Sequence, residues 1–520
     1  MSDASKIVAA ITVLAAAAAA PAAWAATAKD VLVIGKSADP QTLDPGVTVD
    51  NNDWTVTYPA YQRLVRYKTE NGKGLTSVEG DLATKWTVSA DNLAWDFTLK
   101  PGNSFADGTP VDAAAVKFSF DRLFALKQGP SEAFPDGTVV TVVNPTTVHF
   151  QLKTPFAPFL YTLANNGAAI VNPKVMEHQK DGDQAQGWLS GHTAGSGPYQ
   201  LTSWEKGQSI VLEPNPKFAG PKPPFSKVIT KIVAEASARR LQLEGGDLDI
   251  AEDLPGDQLD ALKKAGNGIT VSEYPSLKVT YLYLNNKRPP LDKPEVRRAI
   301  VAAIDDGAII DGILLGKGKP MGGPIPEGMW GYDASIKPAA HDPAAAKALL
   351  KSAGAEKIKL SFVMSNKDPN WEPIALATQS NLAEVGATVS IENIANATFR
   401  ERLGKGDFDI AIGNWSPDFS DPYMFMNYWF DSGKQGLSGN RSFYSNPKVD
   451  ELVRKAAVES NQAERTKLYQ EAQKITVADA AYVYLFQKNS QVALRSDVKG
   501  FVFNPMLEQI YNVDEMSKSK

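Results

Sequence analysis

Cysteine does not occur among the 520 residues. Its absence excludes a disulfide framework, a thiolate metal site and the acylated cysteine of a lipoprotein. Histidine is scarce: His149, His178, His192 and His341 are scattered and fit no metal-ligand spacing such as H-E-x-x-H, so neither a metal nor another cofactor is expected. Basic clusters are missing too, and a net charge of −5 argues against nucleic acid and anionic membrane surfaces as partners. Long apolar runs are confined to the N-terminus. There Lys6 precedes the almost purely apolar Ile7 to Ala20, too short to span a bilayer, and Ala23-Trp24-Ala25 places small residues at cleavage positions. Residues 1–25 therefore read as a secretory signal cut after Ala25, which exports a soluble chain of about 495 residues.

That length is too great for one core, so two or three domains are expected. From Asp30 to about Lys231 the pattern is mostly short strands with turn punctuation. Val139 to Val143 and Thr147 to Leu152 read as a hairpin, as do Tyr199 to Trp204 and Ser209 to Glu213. Between them Asp112 can cap a helix whose Val116, Phe120, Leu123 and Phe124 share one face. After about Val279 the rhythm changes. Asp292 is expected to cap a helix with Pro294 in its first turn, and Asp342-Pro343 opens another that stops at Gly354. Strand Ile358 to Met364, helix Glu372 to Val385, strand Thr388 to Ile394, helix Asn396 to Leu403 and strand Phe408 to Gly413 then form a βαβαβ unit with parallel strands. Helices over Val449 to Val458 and Ala463 to Asp479 follow, and then an apolar stretch, Ala481 to Phe486.

The last strand of that unit runs into a turn that carries Asp418 and Asp421, at the carboxyl end where open α/β sheets bind ligands. Seven of the sixteen residues from Trp415 to Phe430 are aromatic, in a chain that is 9% aromatic, so this stretch can wall a carboxylate with apolar rings. A ligand ammonium suits such a place. The plainer alternative makes the two Asp residues turn formers and the aromatics core filler. Catalytic signatures are weak by comparison. Ser196 lies in Gly195-Ser196-Gly197-Pro198, but Ala194 stands where a nucleophile elbow needs its first Gly. Asp418 and Asp421 could also act as the acid and base of a secreted hydrolase.

Several phrases, read in order, resemble the peptide, dipeptide and nickel class of periplasmic solute-binding proteins that serve ABC transporters. They include Thr42-Leu43-Asp44-Pro45; Gly80-Asp81-Leu82-Ala83-Thr84-Lys85-Trp86; Phe105-Ala106-Asp107-Gly108-Thr109-Pro110 with Val116-Lys117-Phe118-Ser119-Phe120-Asp121-Arg122; and Gly195-Ser196-Gly197-Pro198-Tyr199. Pro290-Leu291-Asp292 with Val296-Arg297-Arg298-Ala299, Met329-Trp330-Gly331-Tyr332, Asp342-Pro343 with Ala346-Lys347-Ala348-Leu349-Leu350, and Trp415-Ser416-Pro417-Asp418 continue the likeness. The resemblance implies a two-lobed α/β binding-protein fold of type II, with a strand-rich extra subdomain in the N-terminal lobe. Its boundaries would be residues 26–277 for that lobe, with 486–520 returning to it, and 278–485 for the second lobe. It also implies a monomeric receptor, not an enzyme, which closes on its solute and hands it to an inner-membrane permease.

In the family's dipeptide binders an Asp after this strand holds the ligand ammonium, and Asp418 matches, with Trp415 as the aromatic wall and Asp421 beside it. An Arg on the loop after the strand at 358–364 holds the carboxylate in those proteins. Here no Arg occurs between Ala299 and Phe399, so Lys367 is the nearest candidate, with Arg400 or Arg402 reaching in as the other route. Asp50, Asn52 and Asp53 lie where the N-terminal lobe contributes pocket residues. Four carboxylates around the cleft, at Asp50, Asp53, Asp418 and Asp421, would favour amine-bearing solutes or longer peptides over neutral dipeptides. The same fold class also receives nickel chelates, opines and oligosaccharides, so the solute is open at this level. Intact-mass measurement of the exported protein should give a chain that begins at Ala26; a full-length chain retained in the cytoplasm contradicts export.

Overall fold

The computed structural model describes residues 27–437 and 439–519; the signal segment and its cleavage site lie outside them. The framework is an eleven-stranded sheet that passes through both lobes. Its centre is one antiparallel pair, Ile269–Leu284 against Tyr482–Arg495. Both strands are longer than either lobe needs. Their first pairing, Ile269 with Arg495 through Pro275 with Asn489, lies beside Ile250–Ala251 and Val31–Lys36. Their second, Val279 with Gln487 through Tyr283 with Tyr482, lies beside Ile410–Trp415. The ladder is irregular between these two stretches, from Pro275 to Val279. Side chains supply bonds there: Ser276 Oγ donates to the Lys488 carbonyl at 2.6 Å, and Gln487 Nε2 donates to the Ser276 carbonyl at 2.6 Å.

On one side of this pair stand Ile410–Trp415, Lys359–Ser365 and Thr388–Ile394, mutually parallel, with helices Trp371–Glu384 and Asn396–Lys405 as crossovers. The expected βαβαβ unit is therefore present, and it delivers the turn after Trp415 to the carboxyl edge of the parallel strands. On the other side the sheet continues through Val31–Lys36, Lys227–Ile232, Ser209–Pro214 and Tyr199–Glu205. A separate four-stranded antiparallel sheet, from Ala83–Val88 to Val139–Asn144, is covered by helix Ala113–Leu126. Asp112 caps that helix through the Ala115 amide at 2.9 Å, and Phe120 meets Phe150 edge to face at 4.9 Å. The C-terminal end returns to the N-terminal half, where Lys518 pairs with Asp249 at 2.7 Å and both are buried.

Local chemistry departs from the sequence reading at two elements. Helix Pro294–Ala303 has Lys293, not Asp292, at its cap position, and no side chain caps it; Pro294 supplies the preset φ of a first turn. The aromatic stretch does not remain a loop. Tyr423–Phe430 is a helix, and Met424, Phe425, Met426, Trp429 and Phe430 are buried in the main core, so most of these aromatics fill the interior.

The motif phrases meet one another through buried polar contacts. Asp44 takes both oxygens to Arg122, with Nη1 at 2.9 Å, which joins the 42–45 phrase to the 116–122 phrase. Gly195 and Gly197 pass so close to the end of helix Asn51–Ala60 that a Cβ would strike the Ala60 and Pro59 carbonyls, and Ser196 bonds Gln62. That turn is packing, with no base beside its hydroxyl. Breaking a buried ion pair strands the remaining charge. Arg122→Met should therefore lower unfolding free energy by about 3–5 kcal/mol in urea titrations; a change below about 1 kcal/mol would show that Asp44 finds another partner.

Candidate functional site

Four elements of the second lobe and one segment of the first converge on a cavity of about 590 Å³. The turn after Ile410–Trp415 brings Trp415, Ser416 and Asp418. The loop after Lys359–Ser365 brings Lys367, and helix Asn396–Lys405 brings Arg400. From the first lobe come the 41–50 loop and Asp53 at the start of helix Asn51–Ala60.

The four acids expected at the cleft have different fates. Asp421 is fully buried, and its carboxylate receives both ends of the Arg465 guanidinium at 2.8 Å as well as the Tyr423 amide at 2.9 Å. Arg465 in turn lies 4.9 Å from the Trp330 ring, and Trp330 Nε1 donates to the Ser420 carbonyl. Asp421 therefore braces the turn from behind and is no ligand contact: a correction that follows from two parallel charge-assisted bonds using both oxygens. Asp53 borders the cavity, but it is buried and accepts from the Gln41 and Thr42 amides and from the Thr48 hydroxyl at 2.6 Å. Its role is to fold the 41–48 loop. Asp50 caps helix Asn51–Ala60 through the Asn52 amide at 2.8 Å. Asn52 does not line this cavity; its amide donates to the Ala38 carbonyl at 3.0 Å.

Asp418 is the exception. Its backbone carbonyl is fixed by Asn165 Nδ2 at 2.8 Å, which ties the first lobe to this turn, while among the described residues nothing donates to its carboxylate. That carboxylate is walled by protein yet open to the cleft. Poor solvation raises its pKa from 3.8 to about 6; the nearby charge of Glu132 adds to the rise and Arg441 opposes it.

The cations are more numerous than the sequence indicated. Lys367 and Arg400 both line the cavity and make no ion pair or side-chain hydrogen bond among the described residues. Arg441, which sequence reasoning missed, lines it too. Its Nε donates to the Leu437 carbonyl at 2.7 Å, its Nη1 to the Tyr283 hydroxyl at 3.1 Å, and its guanidinium stands 5.6 Å from the Trp415 ring. Arg402 points elsewhere, into Glu392 and Asp407. Burial, with repulsion from Lys278, Arg400 and Arg441, lowers the pKa of Lys367, and the charge of Asp50 opposes this. Asp50, Asp53 and Asp418 face Lys367, Arg400 and Arg441, so acids and cations line the cavity in equal number. The preference for amine-bearing over neutral dipeptide ligands rested on an excess of cleft carboxylates, and with Asp421 turned into the core and three cations present that excess is absent.

Among the described residues no three His, Asp or Glu side chains gather as a metal site, and no helix is long and apolar enough to cross a membrane. The geometry is that of a two-lobed solute receptor with a charged cleft. Residues 77–436 match the family described as bacterial extracellular solute-binding proteins, family 5, and the chain belongs to that family. The chain is 60% identical over 498 residues to the probable D,D-dipeptide-binding periplasmic protein DdpA of Escherichia coli (strain K12), with 96% of each chain covered. It is 28% identical to the dipeptide-binding protein of the same organism, with 90% of each covered. The solved structure of the ABC transporter-associated periplasmic binding protein DppA from Helicobacter pylori, in complex with peptide STSA, is 28% identical. It superposes with a TM-score of 0.78 over 94% of this chain and 98% of that one. The protein is an extracytoplasmic solute-binding receptor of the ABC-importer type.

The raised carboxyl of Asp418 sets a pH dependence. Above about pH 6 it is charged and can hold an ammonium; as pH falls through 6 it takes a proton and the attraction is lost. A peptide α-amino group stays charged up to about pH 7.7–8.0. Affinity for an amine-bearing peptide should be highest between these limits and weaken about tenfold per pH unit below the lower one. Calorimetry at pH 6 in buffers of different ionisation enthalpy should show protons released on binding; proton uptake, or a flat profile from pH 5 to 7.5, would contradict this role for Asp418.

Proposed function

We propose that this receptor captures a short zwitterionic peptide, a dipeptide of D-residues foremost, in the cavity between its lobes. Asp418 accepts the ligand ammonium. Lys367 and Arg400 take the main-chain carboxylate, and Trp415 forms an apolar wall backed by Arg441. The observation that carries this reading is the contrast between Asp418 and its neighbours: Asp53 and Asp421 are buried on the protein's own donors and Asp50 caps a helix, whereas among the described residues no donor reaches the Asp418 carboxylate. Two poles support a zwitterion. Asp418 offers a carboxylate that no donor reaches among the described residues, and Lys367 and Arg400, without ion pairs among those residues, line the same cavity. The choice of D-residues rests on the 60% identical relative and its name.

In this reading lobe boundaries fall near 277 and 485, the irregular stretch of the long strand pair acts as the hinge, and closure excludes water from the ammonium–carboxylate contact. The receptor works in the periplasm as a monomer, after loss of residues 1–25, and delivers its ligand chemically unchanged to an inner-membrane permease. No nucleophile with an adjacent base lines the cleft, so turnover is not expected.

Removing one member of a buried, hydrogen-bonded charge pair costs roughly 2–5 kcal/mol. Asp418→Ala should weaken dipeptide binding at least about thirtyfold, with an unchanged melting temperature in the absence of ligand. Calorimetry with D-Ala-D-Ala and L-Ala-L-Ala, backed by small-angle scattering for closure, tests both the site and its handedness. Unchanged affinity in Asp418→Ala rejects the anchor, and tighter binding of the L,L peptide rejects the D preference.

A further inference from the structure

The cleft does not end at the peptide cavity. Lys367 and Ser416 also line a second cavity of about 740 Å³, which is bordered by the 251–257 turn, the 313–317 turn and the C-terminal segment at 501–511. Lys278 and Lys488 line it as well, and they come from the two long strands that join the lobes. Pro275 is opposite Asn489 and Val279 is opposite Gln487, so these lysines are cross-strand neighbours at the irregular stretch. Only their backbones are used: the Lys278 amide donates to Ser276 Oγ and the Lys488 carbonyl accepts from it. Other lysines nearby behave differently, since Lys36, Lys317 and Lys319 all pair with carboxylates.

Like charges on adjacent strands oppose each other. Burial and the charge of Lys278 together depress the Lys488 ammonium below the ordinary lysine range, despite the pull of Asp368, Glu508 and Asp253. Of the carboxylates of this cavity Glu252 is paired with Lys36, while Asp253 and Asp368 keep their charge and accept from the Gln509 side chain and the Asn370 amide. Asp257 and Glu508 remain, and they do not reach the lysines as ion pairs. Starting from Asp418, the groups thus run through Arg441 and Lys367 to Lys278 and Lys488, each acting on the next.

We propose that Lys278 and Lys488 form a second anion subsite that takes an acidic group carried by the ligand beyond its main-chain carboxylate, so that the preferred substrates are short acidic peptides. This rests on the dipeptide reading of the first cavity. A zwitterion placed there satisfies Asp418 and one cationic end and leaves the lysine pair without an ion-pair contact among the described residues; a side-chain carboxylate on the second residue extends toward it.

The test compares Ala-Glu with Ala-Gln, which differ in charge and hardly in shape, by calorimetry in the L,L and D,D series. In whichever series binds, the Glu peptide should be at least about tenfold tighter, the scale of one charge-assisted hydrogen bond. Lys278→Met and Lys488→Met should each reduce that ratio, and loss of the repulsion should leave the ligand-free melting temperature equal or higher. Equal affinities in the unmodified protein overturn the subsite, as does a ratio that persists in both variants. If Ala-Ala binds through Asp418 while the Glu and Gln peptides are alike, only the subsite fails. If Ala-Ala binding ignores Asp418→Ala, the dipeptide reading fails with it.

Discussion

The antiparallel pairing of Ile269–Leu284 with Tyr482–Arg495 is what makes one chain into two lobes that share a sheet. Its two stretches are flanked by different sets of strands, and the bonds lost at Pro275 to Val279 are replaced by Ser276 and Gln487 side chains. An irregular stretch held by side chains can change its φ and ψ angles more easily than a continuous ladder. The cleft residues hang from this axis. Ile410–Trp415 pairs directly with Ile269–Leu284, so the turn that carries Asp418 is positioned by the same strand that supplies Lys278.

The second constraint is electrostatic. A buried carboxylate without donors is costly, and the protein avoids that cost at Asp44, Asp53, Asp421 and Asp249 with complete sets of partners. Those partners make the walls rigid. Asp421 with Arg465 anchors the far end of the turn, Asn165 holds the Asp418 carbonyl, and Arg441 is pinned by Tyr283 and Leu437. What remains unpaired, one carboxylate and the cleft cations, is thereby preorganised for a ligand. Energy that the ligand would otherwise spend on ordering side chains goes into affinity.

Much of the fold was legible in the sequence because its signals are local. Capping residues such as Asp112 and Asp342, the alternation of strands and helices after residue 358, and the hairpin turns each act over a few residues. The position of Asp418 was legible for a related reason, since the end of a parallel strand is a fixed place. Trp415, Lys367, Arg400 and Asp50, named on the family resemblance, line the same cavity; which acids the protein's own donors occupy was not legible, because carboxylate partners are chosen in three dimensions. Nothing within ten residues of Asp421 reveals Arg465, 44 positions away, and nothing around Asp53 distinguishes a loop brace from a ligand contact. Arg441 was missed for the same reason: it lies in an irregular loop after the aromatic helix, and only its approach to Trp415 and Tyr283 brings it to the cleft. The aromatic stretch misled because rings that can wall a ligand can equally fill a core.

The central claim is that the cleft binds a peptide by its ammonium at Asp418 and its carboxylate at the Lys367–Arg400 end. A crystal structure of the protein with a bound dipeptide tests it most directly. The account predicts a closed form with the ligand nitrogen about 2.7–2.9 Å from an Asp418 oxygen. A ligand bound in the reverse direction, with its carboxylate beside Arg441 and its ammonium away from Asp418, would contradict it.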